Sequence, residues 1–256
     1  MEYSSLQVKI DGPVARVVLN KPERRNALSG EVLEELRAAL HEVGASDARG
    51  MVLAANGPVF SAGHDFADVT ARDAVGVAEL MDLCTDVMLT MHAMPQVVVA
   101  RVHALATAAG CQLVASADLA VAARSAGFAL PGGKGGWFCH TPSVAVGRAI
   151  GRKRLMELAL SGDVIDADTA LDWGLVNRVV DDAELDDAVD ELLARTTRGS
   201  AASKAWGKRV LYQQLDRPER DAYALACQAM TASSQIAGAK EGMAAFLDKR
   251  HPNWTD

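Results

Sequence analysis

The stretch ATAAGCQL, residues 106–113, reduces its side chains to little more than methyl groups and then presents a single amide, Gln112. It follows QVVVARVHA (96–104), an apolar run that reads as a buried strand, and the pattern predicts a helix beginning near Ala108. Small residues at such a turn let a ligand approach the backbone closely, and the first N–H groups of a helix have no intrahelical acceptor. A turn of this kind can receive an anion or a developing oxyanion. Close packing of the helix on its neighbours is the other reading of the same residues. A second stretch, FSAGHDF (60–66), comes after the short apolar strand GMVLAA (50–55) and the turn NGP. It again sets small residues and exposed N–H groups at the end of a buried strand. Two such loops can direct two donors at one carbonyl oxygen, which points to chemistry on an acyl group.

Composition frames these loops. The 256 residues are 50% hydrophobic and 23% charged, ordinary for one globular unit with a sizeable core and an extension. The N-terminal MEYSSLQVKIDGPVARVVLN has no basic segment leading into an apolar one, and nowhere do about 18 apolar residues run without charge. A cytoplasmic protein without a membrane span is therefore expected. Cys84, Cys111, Cys139 and Cys227 are scattered with no CxxC spacing, so they read as reduced thiols rather than disulfides, and no metal is expected. A net charge of −7 argues against a general nucleic-acid partner and leaves room for local basic patches.

LQVKI (6–10) and VARVVLN (14–20) flank the turn DGP and read as a hairpin. NALSGEVLEELRAALHEV (26–43) is an amphipathic helix with Ser29 as N-cap and Leu33, Leu36 and Leu40 at helical spacing. VAELMDLCTDVMLTMHAM (77–94) is a long helix ended by Pro95. DLAVAARSAGFAL (118–130) reads as strands and GGKGGWF (132–138) as a loop. Helices are expected at 147–162, 166–174 and 181–197, and everything from Ala201 onward is helix-rich and strand-poor. The expected organisation is an α/β core over residues 1–197 and a helical C-terminal region over 198–256.

In this order, LNKPERRNALS (19–29), FSAGHDF, VHALATAAGCQLVASADLAVA (102–122), FALPG (128–132), LALSGDVIDADTALDWGLVNRVV (158–180) and EGMAAFLDKR (241–250) resemble the landmarks of the crotonase (enoyl-CoA hydratase/isomerase) superfamily. The resemblance covers nearly the whole chain. It implies a spiral of ββα turns, a helical C-terminal region that drives a homotrimer or dimer of trimers, and an acyl-CoA thioester as substrate or ligand with no further cofactor. It also implies an oxyanion hole made by the N–H groups of His64 and Ala109, with Ala62, Gly63, Asp65, Phe66, Gly110 and Gly132 lining the thioester site. Arg24 and Arg25 match the segment that contacts pantetheine and phosphate. Phe246 and Lys249 match C-terminal positions that approach the nucleotide, often from a neighbouring subunit. Solvated surface charge is the other reading of these cations.

The departures from the superfamily bear on the chemistry. Its hydratases carry a glutamate three residues after the second oxyanion residue and another in a following loop, where this chain has Gln112 and Gly132. An amide exchanges no useful proton near neutral pH and a glycine has no side chain, so Gln112 is expected to face the acyl pocket as a neutral hydrogen-bond group that orients a water or an acyl oxygen. Other groups are candidates for the proton work: His64, whose SAGHD setting resembles that of the superfamily's methylmalonyl-CoA decarboxylase, and His140 in WFCHTP. Structural hydrogen bonding is the alternative for both. Cys139 reads as a buried inert thiol, Lys134 as solvated, His103 as core, and GRKRL (151–155) as a helix face at a subunit contact. Three functions fit: an acyl-CoA enzyme of the hydratase/isomerase type with altered chemistry, a decarboxylase using His64, and a non-catalytic acyl-CoA-binding trimer.

Overall fold

In the computed structural model, which describes residues 3–254, the hairpin forms as its turn residues direct. β1 (Leu6–Asp11) and β2 (Val14–Leu19) pair antiparallel across Gly12, whose φ of 55° is the left-handed region open to glycine. There follow α1 (Gly30–Gly44), β3 (Gly50–Ala55), α2 (Phe66–Thr70), α3 (Ala74–Ala93), β4 (Val97–Val102), β5 (Ala106–Thr107) and α4 (Ala109–Ser116). The chain continues through β6 (Leu119–Ala123), β7 (Gly127–Ala129), α5 (His140–Ile150), α6 (Arg152–Ser161), β8 (Ile165–Asp166), α7 (Ala167–Trp173), β9 (Arg178–Val180) and α8 (Leu185–Thr197). Three helices close it: α9 (Ala201–Gln214), α10 (Glu219–Ser233) and α11 (Ala237–Leu247).

Strand pairing winds these elements into the expected spiral of ββα turns. β2, β3, β4, β6 and β9 run parallel in that order, with β1 antiparallel at the edge. A second sheet pairs β5 with β7 and β7 with β8. The period-two alternation of a strand divides the core. Met51, Leu53, Ala55, Val98, Ala100, Val102, Ala120 and Ala122 face the helices α1, α3 and α4, whereas Val52, Ala54, Val99, Val121 and Ala123 face α8 through Leu185, Val189, Leu192 and Leu193. Burial on both faces is why GMVLAA is a continuous apolar run. α3 packs through Leu80, Cys84, Val87, Met88 and Met91, a helical stripe, and Ser29 caps α1 by accepting from Val32 N.

The single helix expected over 147–162 is two. Gly151 adopts φ 78°, ψ 168°, a conformation reserved for glycine, and serves as C-cap of α5 and N-cap of α6. α5 also begins earlier than expected, at His140. His103, expected in the core, is only half-buried, and one ring nitrogen, Nε2, meets the Gly57 carbonyl oxygen at 2.8 Å.

The helices beyond residue 197 rest on the core through a small polar cluster. Asp118, two residues past α4, accepts from Lys208 Nζ (2.7 Å), Tyr212 OH (2.8 Å) and Val98 N (2.7 Å). Lys208 also donates to the Gln96 carbonyl at 2.7 Å, and the Tyr212 ring stacks on His92 at 3.9 Å. Burial pulls the Lys208 pKa down and Asp118 pulls it back up; burial and Asp118 together raise that of Tyr212. Farther out little is buried: α10 has no buried residue and α11 only Ala245. Replacing Asp118 by alanine strands a buried ammonium, and the expected loss is about 3–5 kcal/mol in urea denaturation. Asp118→Ala combined with Lys208→Met should recover part of it; a loss under about 1 kcal/mol for the single variant would show that the cluster does not hold α9.

Candidate active site

Backbone hydrogen bonds bring the two loops of small residues side by side. Phe60 N donates to Leu105 O (2.9 Å) and Thr107 N to Ser61 O (3.0 Å), while Leu28 N donates to Gly63 O (2.8 Å) and Ala62 N to Arg25 O (3.0 Å). The contact is too close for side chains. A methyl on Gly63, whose φ is 86°, would lie 2.8 Å from Ala108 Cβ and 3.1 Å from Ala109 N, and one on Gly110 would strike Ser61 O and Cβ. Ala108 takes φ 50°, ψ −120° to aim the start of α4, a strained conformation for a residue with a Cβ that costs about 1–3 kcal/mol. The result is two N–H groups, of His64 and Ala109, that have no acceptor among the described residues.

His64 is held by its own strand-like bridge to Leu28. Its Nδ1 lies 3.3 Å from Leu28 O, so Nδ1 carries the proton and donates, leaving a lone pair on Nε2. That Nε2 is buried and has no partner among the described residues. Burial pushes the His64 pKa below its ordinary 6.5, against the smaller upward pull of the Leu28 carbonyl and Asp68. Trp137 lies tilted against the ring, and Phe66 meets the indole edge to face. Asp65 caps α2 by accepting from Ala67 N (2.9 Å) and pairs with Arg24 at 2.8 Å; the Arg24 hydrogen bond holds its carboxyl below the usual range.

Gln112 is buried one turn along α4 from Ala109, and its Oε1 has no partner among the described residues. It fronts a cavity of about 910 Å³ between α3, α4, α5 and α9, walled by Met88, His92, Ser116, Val144 and Tyr212 among others, but not by His64 or Ala109. At Gly132 a Cβ would meet Trp137 O, with Cys139 Sγ at 2.8 Å and Cys139 N at 2.9 Å, so the loop has folded into the space a glutamate would need. His140 is exposed at the start of α5, its ring 5.1 Å from that of Phe138. Arg25 is exposed beside the paired Arg24. Phe246 is 83% exposed and Lys249 has φ 53°, both at the outer end of α11, which packs on α9. Cys111 and Cys139 are buried, with burial pushing Cys111 up to about 12 and Cys139 in the same direction. Lys134 pairs with Asp163 in solvent. Among the described residues no group of three or more His, Cys, Asp or Glu is arranged to hold a metal.

Trp137 is the neighbour that sequence reasoning missed. Its signal was a large aromatic in the glycine-rich GGKGGWF, a segment without periodicity to orient it.

Residues 9–256 match the enoyl-CoA hydratase/isomerase family. Enoyl-CoA hydratase domain-containing protein 3, mitochondrial, of Mus musculus is 42% identical over 94% of this chain and 81% of that protein. The crystal structure of an enoyl-CoA hydratase from Mycobacterium smegmatis superposes with a TM-score of 0.95 at 41% identity, covering 98% of this chain and 99% of that one. The human domain-containing protein 3 structure gives a TM-score of 0.94 at 38% identity over 98% and 100% of the two chains. The mitochondrial designation of the mouse, rat and human relatives overturns the expectation of a cytoplasmic protein.

Two tests bear on this geometry. Gly132→Glu, the change that would restore a carboxylate, is expected to destabilise by about 1–3 kcal/mol through overpacking and to leave crotonyl-CoA hydration no faster; a stable variant with raised hydration would contradict the loop geometry. For His64, the unfolded chain binds a proton near pH 6.5 and the folded one only lower. Stability is therefore full above that value and falls as pH drops from it toward the folded pKa. His92 is lowered by burial too and contributes the same sign. Comparing chemical denaturation of wild type and His64→Gln across this window should show a shallower fall in the variant.

Proposed function

The chain belongs to the enoyl-CoA hydratase/isomerase family, and on that premise we propose that it binds acyl-CoA thioesters and stabilises the thioester oxyanion or enolate between the N–H groups of His64 and Ala109. The observation that supports this reading is the pair of unpartnered N–H groups, held side by side by a contact in which Gly63 and Gly110 have no room for a Cβ. Donors fixed in advance where charge develops are worth about 2.7–4 kcal/mol each in comparable sites. Arg25 and Arg24, the latter paired with Asp65, are exposed and would supply the positive charge that the ligand's phosphates call for. The C-terminal helices, which bury almost nothing within one chain, pack between copies in a trimer and carry Phe246 and Lys249 to a neighbour's nucleotide.

Efficient hydration by two glutamates does not fit these residues. Gln112 exchanges no proton, Gly132 has no side chain and no room for one, and each missing acid or base lowers such a rate by about 10²–10⁴. A second reading rests on the buried lone pair of His64 Nε2. Loss of carbon dioxide from the β-carboxylate leaves the C–C electron pair as an enolate, which needs the oxyanion donors and no carboxylate base; the enolate carbon then takes its proton from solvent water, with the His64 Nε2 lone pair beside it as an acceptor that positions the water. A malonyl-type CoA thioester that releases carbon dioxide in the wild type, and much less in His64→Ala, would decide for it. Binding without turnover of any thioester would leave a non-catalytic acyl-CoA-binding trimer.

A panel of CoA thioesters at a hundredfold excess over Kd should add about 2.7 kcal/mol of stability, read as a higher Tm. No shift with any of them at millimolar concentration would remove the ligand from the reading.

A further inference from the structure

Trp137 takes no part in the chemistry above, yet it lies against the residue at its centre. The indole is 6.1 Å from the His64 ring at 51°, and 6.0 Å from the Phe66 ring, edge to face at 64°. Those separations are direct ring contact, so no methylene chain passes between the indole and either ring. Phe66 is 61% exposed and Trp137 38%, which makes the pair an apolar lip facing solvent on its outer side.

The segment that carries the indole is fixed at its base and loose along its length. Trp137 N and Gly135 N both donate to Gly132 O (3.0 and 3.1 Å), and Lys134 pairs with Asp163. Between these anchors a methyl on Gly136 (φ 84°) would touch nothing within 4 Å, and one on Gly135 would find only Gly132 O at 3.7 Å. The tether therefore keeps the tryptophan at this place without packing it there. At its other end the same fold fills the space beside Gly132, so one loop both displaces a carboxylate and installs an aromatic wall.

Resting on the reading of the site as a thioester pocket, we propose that Trp137 sets acyl-chain specificity, its indole admitting short acyl groups beside His64 and shutting out long ones. The hydrocarbon beyond the thioester meets the indole face, and a longer chain has to displace a ring already in contact with two others. Removing the indole opens the lip.

Titration calorimetry with free CoA and with acetyl-, butyryl-, octanoyl- and decanoyl-CoA tests this on the wild type, Trp137→Ala and Trp137→Leu. The wild type is expected to bind butyryl-CoA more tightly than octanoyl-CoA, and Trp137→Ala to shift that ratio toward octanoyl-CoA by at least about tenfold, the scale of a methylene or two in an apolar pocket. Trp137→Leu keeps an apolar contact should the alanine variant lose its fold, and moves the ratio the same way by less. A ratio unchanged in both variants, or a wild type that already prefers decanoyl-CoA, overturns the assignment and leaves the thioester pocket standing. Failure of every CoA species to bind the wild type overturns both.

Discussion

The approach of the Ser61–Gly63 loop to the start of α4 is the contact on which the site depends. Four backbone hydrogen bonds within and around it are possible only because Gly63 and Gly110 carry no Cβ and because Ala108 accepts a strained conformation. The strain is not relieved locally. It is held by the parallel pairing of β3 and β4, which delivers the two loops to the same edge of the sheet, and by the burial of both strands. Open parallel sheets place ligands at the carboxyl ends of their strands, and both loops leave from those ends.

From the same contact follows the difference between this site and one that handles protons with carboxylates. Where a side chain could have come from the loop after β7, the chain turns back on itself and Cys139 and Trp137 O occupy the volume. The titratable side chain at the donors is His64, whose pKa burial lowers. The site combines hydrogen-bond donors, an apolar wall and one imidazole lone pair, a set suited to holding charge rather than to delivering water.

Much of this was legible in the sequence because it lies in local chemistry. Ser29 was readable as a cap, GMVLAA as a buried strand, and ATAAGCQL as a turn that bares its backbone. The break at Gly151 was not, since a glycine inside an otherwise helical run is compatible with a continuous helix until its φ is known. Nor was the surrounding of Gly132, because which atoms fill the space beside a glycine depends on the return path of a loop, and GGKGGWF has no periodicity to reveal it. Gln112 was read as an amide facing the acyl pocket, but the cavity it fronts is made with α3, α5 and α9, segments distant in the chain, and is lined by neither His64 nor Ala109. Phe246 and Lys249 lie at the outer end of α11, in keeping with a motif whose C-terminal positions often act from a neighbouring subunit.

α4 also serves two regions at once. It is a rigid rod of about 12 Å, with Ala109 N at one end and, just past the other, the Asp118 carboxylate that grips Lys208 and Tyr212 of α9. The helix that presents the Ala109 N–H at its first residue is thus followed at once by the carboxylate on which α9 is footed, so the C-terminal helices and the small-residue turn share one support.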